Sequence, residues 1–373
     1  MKASIVTHIT TAHPSSDIRI FHKECKSLSK HGIKVNLIAT HPKNECIENI
    51  NIIPLPSFKR RDAQIVFNSC LAFSAALKTQ ADLFHFHDPE LIPVGILLKI
   101  FGKKVIYDVH EDTPAQILSK EWITPHIRPS LSFFMKRLEA LCSKFFDGII
   151  AATPHITDIF IKRNNNSINI NNYPILEESI KSKNIDLSIK EEKTICYIGN
   201  ITKIRGIMEL LEAIEGTDIK LHLAGKIPSP DLIKTLKKHK AWKNVVYFGH
   251  VDRTELSSIL SKSQLGILLF HPVPNHMNCI PNKLFEYMGA GLPIVASDLP
   301  FWRKLLKGLD NVYFVDPLNP QAIRTAIKEL IADKEKCHSI GIKGIKIINE
   351  KYNWGSEEKK LIAFYKKLGI QTA

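Results

Sequence analysis

Residues Thr194-Ile-Cys-Tyr-Ile-Gly199-Asn-Ile-Thr-Lys203-Ile-Arg205-Gly206-Ile-Met-Glu-Leu-Leu211 read as one structural unit. A β-branched run ends at a glycine, a turn carries two cations between two glycines, and an apolar helical pattern follows. Strand, turn and helix in that order form the repeating unit of a parallel sheet covered by helices. Glycines let backbone approach a ligand closely, and a helix start beside Lys or Arg stabilises a phosphate through oriented amides and charge. A capped turn with solvated cations accounts for the segment equally well. It contains neither GxGxxG nor GxxxxGK[ST], so it carries no nicotinamide fingerprint and no phosphate loop of that type.

The same alternation runs outward in both directions. Upstream, strands are expected near 4–8, 34–39, 83–87, 105–109 and 148–152, with helical stretches such as 18–30 and 91–101. Downstream they are expected near 194–198, 220–223, 245–248, 265–269, 294–296 and 312–315. Between the two sets, residues 162–193 turn polar and irregular, with Asn164-Asn-Asn166, Asn171-Asn-Tyr-Pro174 and Glu177-Glu178. That stretch is the best boundary. The expected organisation is a first domain over 1–170, a linker over 171–192, a second domain over 193–353 and a C-terminal helix over 354–373 that crosses back to the first.

The chain has 373 residues, a length suited to two domains, and its 44% apolar and 24% charged composition is that of a globular protein. Seven widely spaced cysteines suggest neither a disulfide framework nor a paired CxxC zinc site, as expected of a reduced, cytoplasmic protein. The opening Met1–His8 turns polar too soon for a secretory signal, and no apolar run reaches the length of a membrane span. Net charge is +14, with Lys and Arg outnumbering Asp and Glu by 21 to 17 before residue 181 and by 30 to 20 after it. The excess in the second half suits an anionic ligand or an acidic surface, although most of these lysines read as solvated helix faces.

Ligands of open parallel sheets bind beyond the carboxyl ends of strands, which directs attention to three further segments. In Cys279-Ile-Pro281-Asn-Lys283-Leu-Phe-Glu286-Tyr-Met-Gly-Ala-Gly291, Pro281 reads as the first helical residue, with the amides of Asn282 and Lys283 free for an anion. Glu286 lies among Leu284, Phe285 and Met288, where a carboxylate needs a partner such as a sugar hydroxyl or else faces water. Tyr107-Asp108-Val-His110-Glu111-Asp112 places an imidazole and three carboxylates at a strand end, suiting acid/base work or a structural His–carboxylate pair. In Phe84-His85-Phe-His87-Asp88-Pro-Glu90, alternation sends His85 and His87 to one side of a strand, where one metal could bridge them, but spacing identifies no third ligand. The chain has no Asp-x-Asp pair to clamp a metal-bound nucleotide diphosphate and no GxSxG elbow.

Taken together, these segments resemble the retaining glycosyltransferases of family 4. The match runs through His13-Pro-Ser-Ser-Asp17-Ile-Arg19-Ile-Phe-His22-Lys23, Phe86-His87-Asp88-Pro89-Glu90-Leu91, Val105-Ile-Tyr-Asp108-Val-His110-Glu111-Asp112, Asn171-Asn-Tyr-Pro174 and Pro281-Asn-Lys-Leu-Phe-Glu286-Tyr-Met-Gly-Ala-Gly291-Leu-Pro293. The resemblance implies the GT-B fold, two facing Rossmann-like, doubly wound α/β domains able to close on each other. It also implies transfer of a sugar from a nucleotide-sugar, commonly a UDP-sugar, with retention of anomeric configuration.

By that resemblance the second domain binds the donor through Gly199, Asn200, Lys203, Arg205, Asn278, Asn282, Lys283 and Glu286. Arg205 falls at the position contacting the diphosphate, and Glu286 at the second Glu of the family's Glu-x7-Glu, which holds the ribose. His110 falls at the acceptor-side histidine facing the transferred sugar, so His110 and Arg205 are the expected catalytic residues. Two departures are visible: Asn278 replaces the first Glu, and the familiar Gly-Arg is Gly199-Asn200. Asp17, Arg19, Glu111 and Asp112, with residues 112–122, are the expected acceptor side. No metal or other cofactor is expected.

Relatives commonly build O-antigen, lipopolysaccharide or capsule on lipid-linked carriers at the cytoplasmic face of the inner membrane. A lipid-linked glycan acceptor and peripheral membrane contact follow as expectations, through Lys59-Arg60-Arg61 and the basic, apolar stretch 128–138. A nucleotide-sugar epimerase of the same shape, reacting without acceptor, is the competing enzyme. A non-catalytic binding protein is the other alternative, but nucleic acid is not the expected partner because aromatics are not interleaved with the cations.

Overall fold

The computed structural model describes residues 4–58, 61–120, 123–175, 190–309 and 311–372. The expected Glu177-Glu178, Lys59, Arg60, Glu121, Trp122 and most of the expected linker lie outside the described residues. The chain divides into two compact units: residues 1–172 with 354–373, and residues 173–353.

The first unit holds strands β1 (Ile5–Pro14), β2 (Lys34–Thr40), β3 (Glu45–Ile47), β4 (Ile50–Leu55), β5 (Leu83–Phe86), β6 (Lys104–Val109), β7 (Gly148–Ala151) and β8 (Ser167–Asn169). They form one sheet in the order β3-β4-β2-β1-β5-β6-β7-β8, parallel except for the β3–β4 pair. The second unit holds β9 (Thr194–Ile198), β10 (Lys220–Ala224), β11 (Val245–Gly249), β12 (Leu265–Leu268), β13 (Ile294–Ser297) and β14 (Val312–Val315). Its sheet runs β11-β10-β9-β12-β13-β14, with the pairs parallel. Every strand read from the sequence is present. The short pieces β3, β4 and β8 are additions, β8 falling inside the polar stretch read as irregular.

Alternation of side chains explains why both faces are buried. In the second unit Ile195, Tyr197, Leu221 and Leu223 join one apolar cluster, while Cys196, Ile198, Leu268 and Ala296 join another. Near-continuous apolar strands are what a sheet covered on both faces requires. In the first unit Phe84, Phe86, Val105, Tyr107 and Val109 fill one face. The intervening residues include His85, His87 and Asp108, all buried. The helix Trp354–Lys367 packs on this unit, where Trp354 Nε1 donates to Ser27 Oγ at 2.9 Å and Tyr365 is fully buried.

One contact fixes the helix Asn282–Gly289 against its sheet. The Tyr287 hydroxyl accepts the Ile198 amide at 3.1 Å and lies 3.1 Å from the Ile267 carbonyl. Room for that ring comes from Gly266 in β12, where an added Cβ would lie 2.4 Å from Tyr287 Cγ. Gly266→Ala therefore forces the ring outward, and its expected cost is about 1–3 kcal/mol, measurable by urea denaturation. An unchanged midpoint would show that the helix tolerates the shift.

Candidate functional site

The strand order of the second unit reverses between β9 and β12, the position where an open parallel sheet leaves a crevice. Gly199 follows β9 with φ +85°, and its amide donates to the Ala224 carbonyl at 2.8 Å. Gly225 follows β10 with φ +145°, and a Cβ there would lie 1.9 Å from the Gly199 carbonyl oxygen. The two loop backbones touch because Gly225 has no Cβ, while Gly199 supplies the left-handed turn and leaves room for the Lys283 side chain.

Against this turn lies Lys283, in the first turn of the helix Asn282–Gly289, only 8% exposed. Its Nζ has no hydrogen-bond partner and sits 4.1 Å from the Tyr197 ring centroid. Arg205 and Lys283 share the Phe270 ring, at 5.2 and 5.7 Å from its centroid. Burial, reinforced by the Arg205 charge, holds the Lys283 amine well below its usual range. Arg205 Nη1 donates to the Asn200 carbonyl at 3.4 Å. The structure thus gathers Gly199, Arg205 and Lys283, while the Asn200 and Lys203 side chains lie on the exposed side of the turn.

Pro281 is the cap of this helix rather than its first residue, with ψ 128°, because an extended proline ends the preceding loop. Asn282 is the exposed first helical residue, and no side chain caps the helix start, leaving its first amides without intrahelical acceptors. Asn278 is half-buried in the loop before it. Glu286 is 24% exposed and pairs with Arg253 Nη1 at 3.4 Å, so a protein cation already meets it. Sequence reading missed Arg253, Phe270 and the pair His271 Nε2–Glu209 Oε1 at 3.1 Å. Only Phe270 carried a signal, standing just beyond the carboxyl end of β12.

The first unit reverses its strand order between β1 and β5. Asp17 caps the π-helical turn Ile18–Cys25, its Oδ1 accepting the amides of Arg19 at 2.8 Å and Ile20 at 3.0 Å. Arg19, expected on the acceptor side, is instead 3% exposed and internally engaged. It forks onto Asp108 at 2.8 and 3.0 Å, donates to the Ile170 carbonyl at 2.9 Å and lies 3.1 Å from Glu24 Oε1. Each of its three nitrogens is thus engaged inside the fold, which places Arg19 in the interior of the first unit rather than on an open surface. Burial alone would raise the Asp108 carboxyl, but Arg19 and then His110 hold it well below its usual range.

His110, with 17% of its side chain exposed, presents Nε2 to Asp108 Oδ2 at 3.0 Å and lies 3.2 Å from His87 Nδ1. Its Nδ1 is therefore the nitrogen left to meet a ligand. Asp112 Oδ1 accepts the Ala115 amide at 3.1 Å as the cap of the helix Thr113–Leu118, so part of this expected acceptor residue is committed to structure. Glu111 is exposed.

His13, absent from the expected site, tilts over His110 with ring centroids 5.3 Å apart. Burial alone would lower its pKa, but the hydrogen bond to Asp17 and the charge of Asp88 raise it to about 8. A raised folded value makes the charged imidazole stabilising below pH 6.5, and that contribution fades as pH climbs through 8. Histidine NMR titration should place His13 near 8 in the native chain and lower in Asp17→Asn. Equal midpoints in the two proteins would remove Asp17 as the cause.

Residues 19–169 match the model of Glycosyltransferase Family 4, and residues 178–347 match that of Glycosyl transferases group 1. An uncharacterized glycosyltransferase of Methanocaldococcus jannaschii is 26% identical over 185 residues, 47% of this chain and 45% of that protein. A probable sucrose-phosphate synthase of Beta vulgaris is 25% identical over 189 residues, 48% of this chain and 17% of its own length. The matched stretch thus spans less than half the length of either curated relative. Among solved structures, sucrose-phosphate synthase of Thermosynechococcus elongatus superposes with a TM-score of 0.80 at 16% identity, covering 98% of this chain and 99% of that one. Anabaena HepE in complex with UDP and glucose superposes at 0.74 and 13% identity, covering 98% and 100%. These likenesses establish two Rossmann-like domains of the GT-B fold. With a family 4 domain in its first half and a group 1 domain in its second, the chain belongs to the glycosyltransferases.

Proposed function

We propose that the chain transfers a sugar from a nucleotide-sugar, UDP being the expected nucleotide, to a glycan acceptor with retention of anomeric configuration. The observation that carries the donor reading is the buried Lys283 amine, without a hydrogen-bond partner, beside Arg205 at the β9–β12 switch point. A cation withheld from water needs an anion, and a diphosphate supplies one. The complexes of Anabaena HepE with UDP and with UDP-glucose are consistent with that choice of nucleotide.

Arg205, Lys283 and the open amides at the start of helix Asn282–Gly289 would stabilise charge developing on the departing diphosphate, the work a divalent ion does in other transferases. Among the described residues, the His, Cys, Asp and Glu groups poised to ligate a metal occur only in the first unit. Glu286 would hold the ribose, exchanging part of its Arg253 contact for a hydroxyl. Asn278 would meet the sugar through an uncharged amide. The acceptor hydroxyl would attack on the side the diphosphate leaves, with a phosphate oxygen taking its proton. His110, oriented by Asp108, would hold the sugar through Nδ1.

The acceptor we favour is a lipid-linked glycan of a surface polysaccharide such as O-antigen or capsule, reached by peripheral contact with the cytoplasmic face of a membrane. Helix Arg128–Cys142 supports this, exposing Phe133, Phe134 and Leu141 at 59%, 59% and 60%, with Arg137 over the Phe133 ring at 4.9 Å. Only Glu139 and Cys142 of this helix are buried, which disfavours a core-packed reading. Among the described residues no helix is long and apolar enough to cross a membrane.

Lys283→Met decides the donor site. Removing a buried cation should leave the fold as stable or more stable, while UDP affinity by calorimetry falls about 10- to 100-fold. Because burial depresses the free amine and a bound diphosphate favours its charged form, UDP affinity should weaken as pH rises. Full UDP affinity in the folded variant, or transfer that EDTA abolishes and Mn²⁺ restores, would overturn this account. An epimer formed from a UDP-sugar alone would favour the isomerase. For the acceptor side, Phe133→Ser with Phe134→Ser should cut binding to phosphatidylglycerol vesicles about tenfold or more and leave UDP binding intact. Undiminished flotation with the vesicles would exclude that helix as the contact.

A further inference from the structure

We propose that His8, Glu24, His85 and His87 form a tetrahedral site for a zinc-class divalent cation, buried beneath the β1–β5 switch point of the first unit. Sequence spacing offered only His85 and His87. The fold adds His8, paired with His85 in register across β1 and β5, and Glu24 from the π-helical turn Ile18–Cys25. Each of the four offers a ligand atom within 4.8 Å of the others, and all four residues are buried. Three imidazoles and one carboxylate form a donor set suited to zinc.

The spacing of the donors fits. Bonds of 2.0–2.1 Å to a tetrahedral ion place neighbouring donors about 3.3 Å apart. His8 Nδ1 lies 2.9 Å from His87 Nε2 and 4.0 Å from Glu24 Oε2, values on either side of that edge. Two ring nitrogens at 2.9 Å share one proton, and a cation entering between them displaces it. Both Glu24 oxygens and His85 Nε2 are buried without a hydrogen-bond partner, although Arg19 Nε lies 3.1 Å from Oε1 as an ion pair.

The surrounding groups also answer what a metal site requires, since a ligating imidazole donates its other N–H to an acceptor. His87 Nδ1 faces Asp108 Oδ2 at 3.2 Å, so Nε2 is its ligating atom. Tyr365 Oη lies 2.6 Å from His85 Nδ1 and 3.3 Å from His8 Nε2, and its two lone pairs can accept from both rings. That leaves His8 Nδ1 to the ion, while His85 presents Nδ1 3.9 Å from Glu24 Oε2 and Nε2 3.8 Å from Asp108 Oδ2. Arg19 holds Glu24 Oε1, turning Oε2 inward. The C-terminal helix, through Tyr365, thereby becomes part of the coordination scaffold.

The test uses the untagged full-length chain, refolded with Zn²⁺ because the site is buried, dialysed, and measured by plasma mass spectrometry. About one zinc per chain should remain, and Co²⁺ loaded in its place should give tetrahedral d–d absorption. Zn²⁺ binding should release protons. Glu24→Gln and His85→Gln, checked for folding by circular dichroism, should bind Zn²⁺ at least about tenfold more weakly, whereas His126→Ala, away from the cluster, should not. Wild-type chain that retains no zinc and gives no tetrahedral Co²⁺ spectrum would overturn the proposal, as would folded variants with unchanged affinity. The wild-type measurements decide the matter should both variants fail to fold. UDP binding is read separately in the second unit, so the two outcomes are independent.

Discussion

A parallel sheet sends its crossover helices to opposite faces on either side of the point where strand order reverses, and the two strand ends at that point are left uncovered. This constraint acts in both units, between β1 and β5 and between β9 and β12. Apolar side chains cover the faces of the sheets, but they cannot satisfy backbone and side-chain polar groups at the strand ends. Polar residues collect there in both units. In the first they form a buried ionic and imidazole cluster, and in the second a glycine turn flanked by two cations.

The two clusters meet the cost of burying charge differently. In the first unit the Arg19 guanidinium has Asp108, Glu24 and a backbone carbonyl as internal partners, so its charge is compensated within the fold. Removing one partner of such a pair leaves an uncompensated charge and typically costs about 3–5 kcal/mol. Arg19 is therefore a positioning residue: it holds Asp108, and Asp108 orients His110. In the second unit Lys283 has no hydrogen-bond partner, and its compensation must come from a neighbouring dipole, from loss of its proton, or from a bound anion.

The periodicity of the strands was legible because both sheets are covered on two faces, which makes their central strands apolar runs. The strands that sequence reading passed over have physical reasons for being faint. β3 and β8 stand at opposite edges of their sheet and have three residues each, too short for a periodic pattern. β4 contains Pro54, beyond the reach of its β3 pairing at Ile50–Ile52, where the strand is itself an edge. Loop motifs after β6, β9 and β12 were legible because function concentrates at strand ends. The partner of Arg19 was not: Asp108 is 89 residues away, and an arginine within an exposed-looking motif gives no sign of being buried. Glu24 and His8 joined His85 and His87 only through the β1–β5 register.

Whether two basic side chains can do the work of a divalent ion is a question of field strength. Unit charges 4 Å apart in an effective dielectric of about 20 attract by roughly 4 kcal/mol. A lysine held on the surface would deliver little of this, because water screens it before the substrate arrives. Lys283 is already out of water, lodged between the Tyr197 ring and the Gly199 backbone, so part of its desolvation is met when the chain folds. The same burial that depresses its pKa also strengthens its attraction for an anion. An arginine side chain, by contrast, carries its charge at any working pH. A permanently charged guanidinium beside a lysine whose charge burial disfavours and an anion favours lets the site form with less repulsion between its two basic groups.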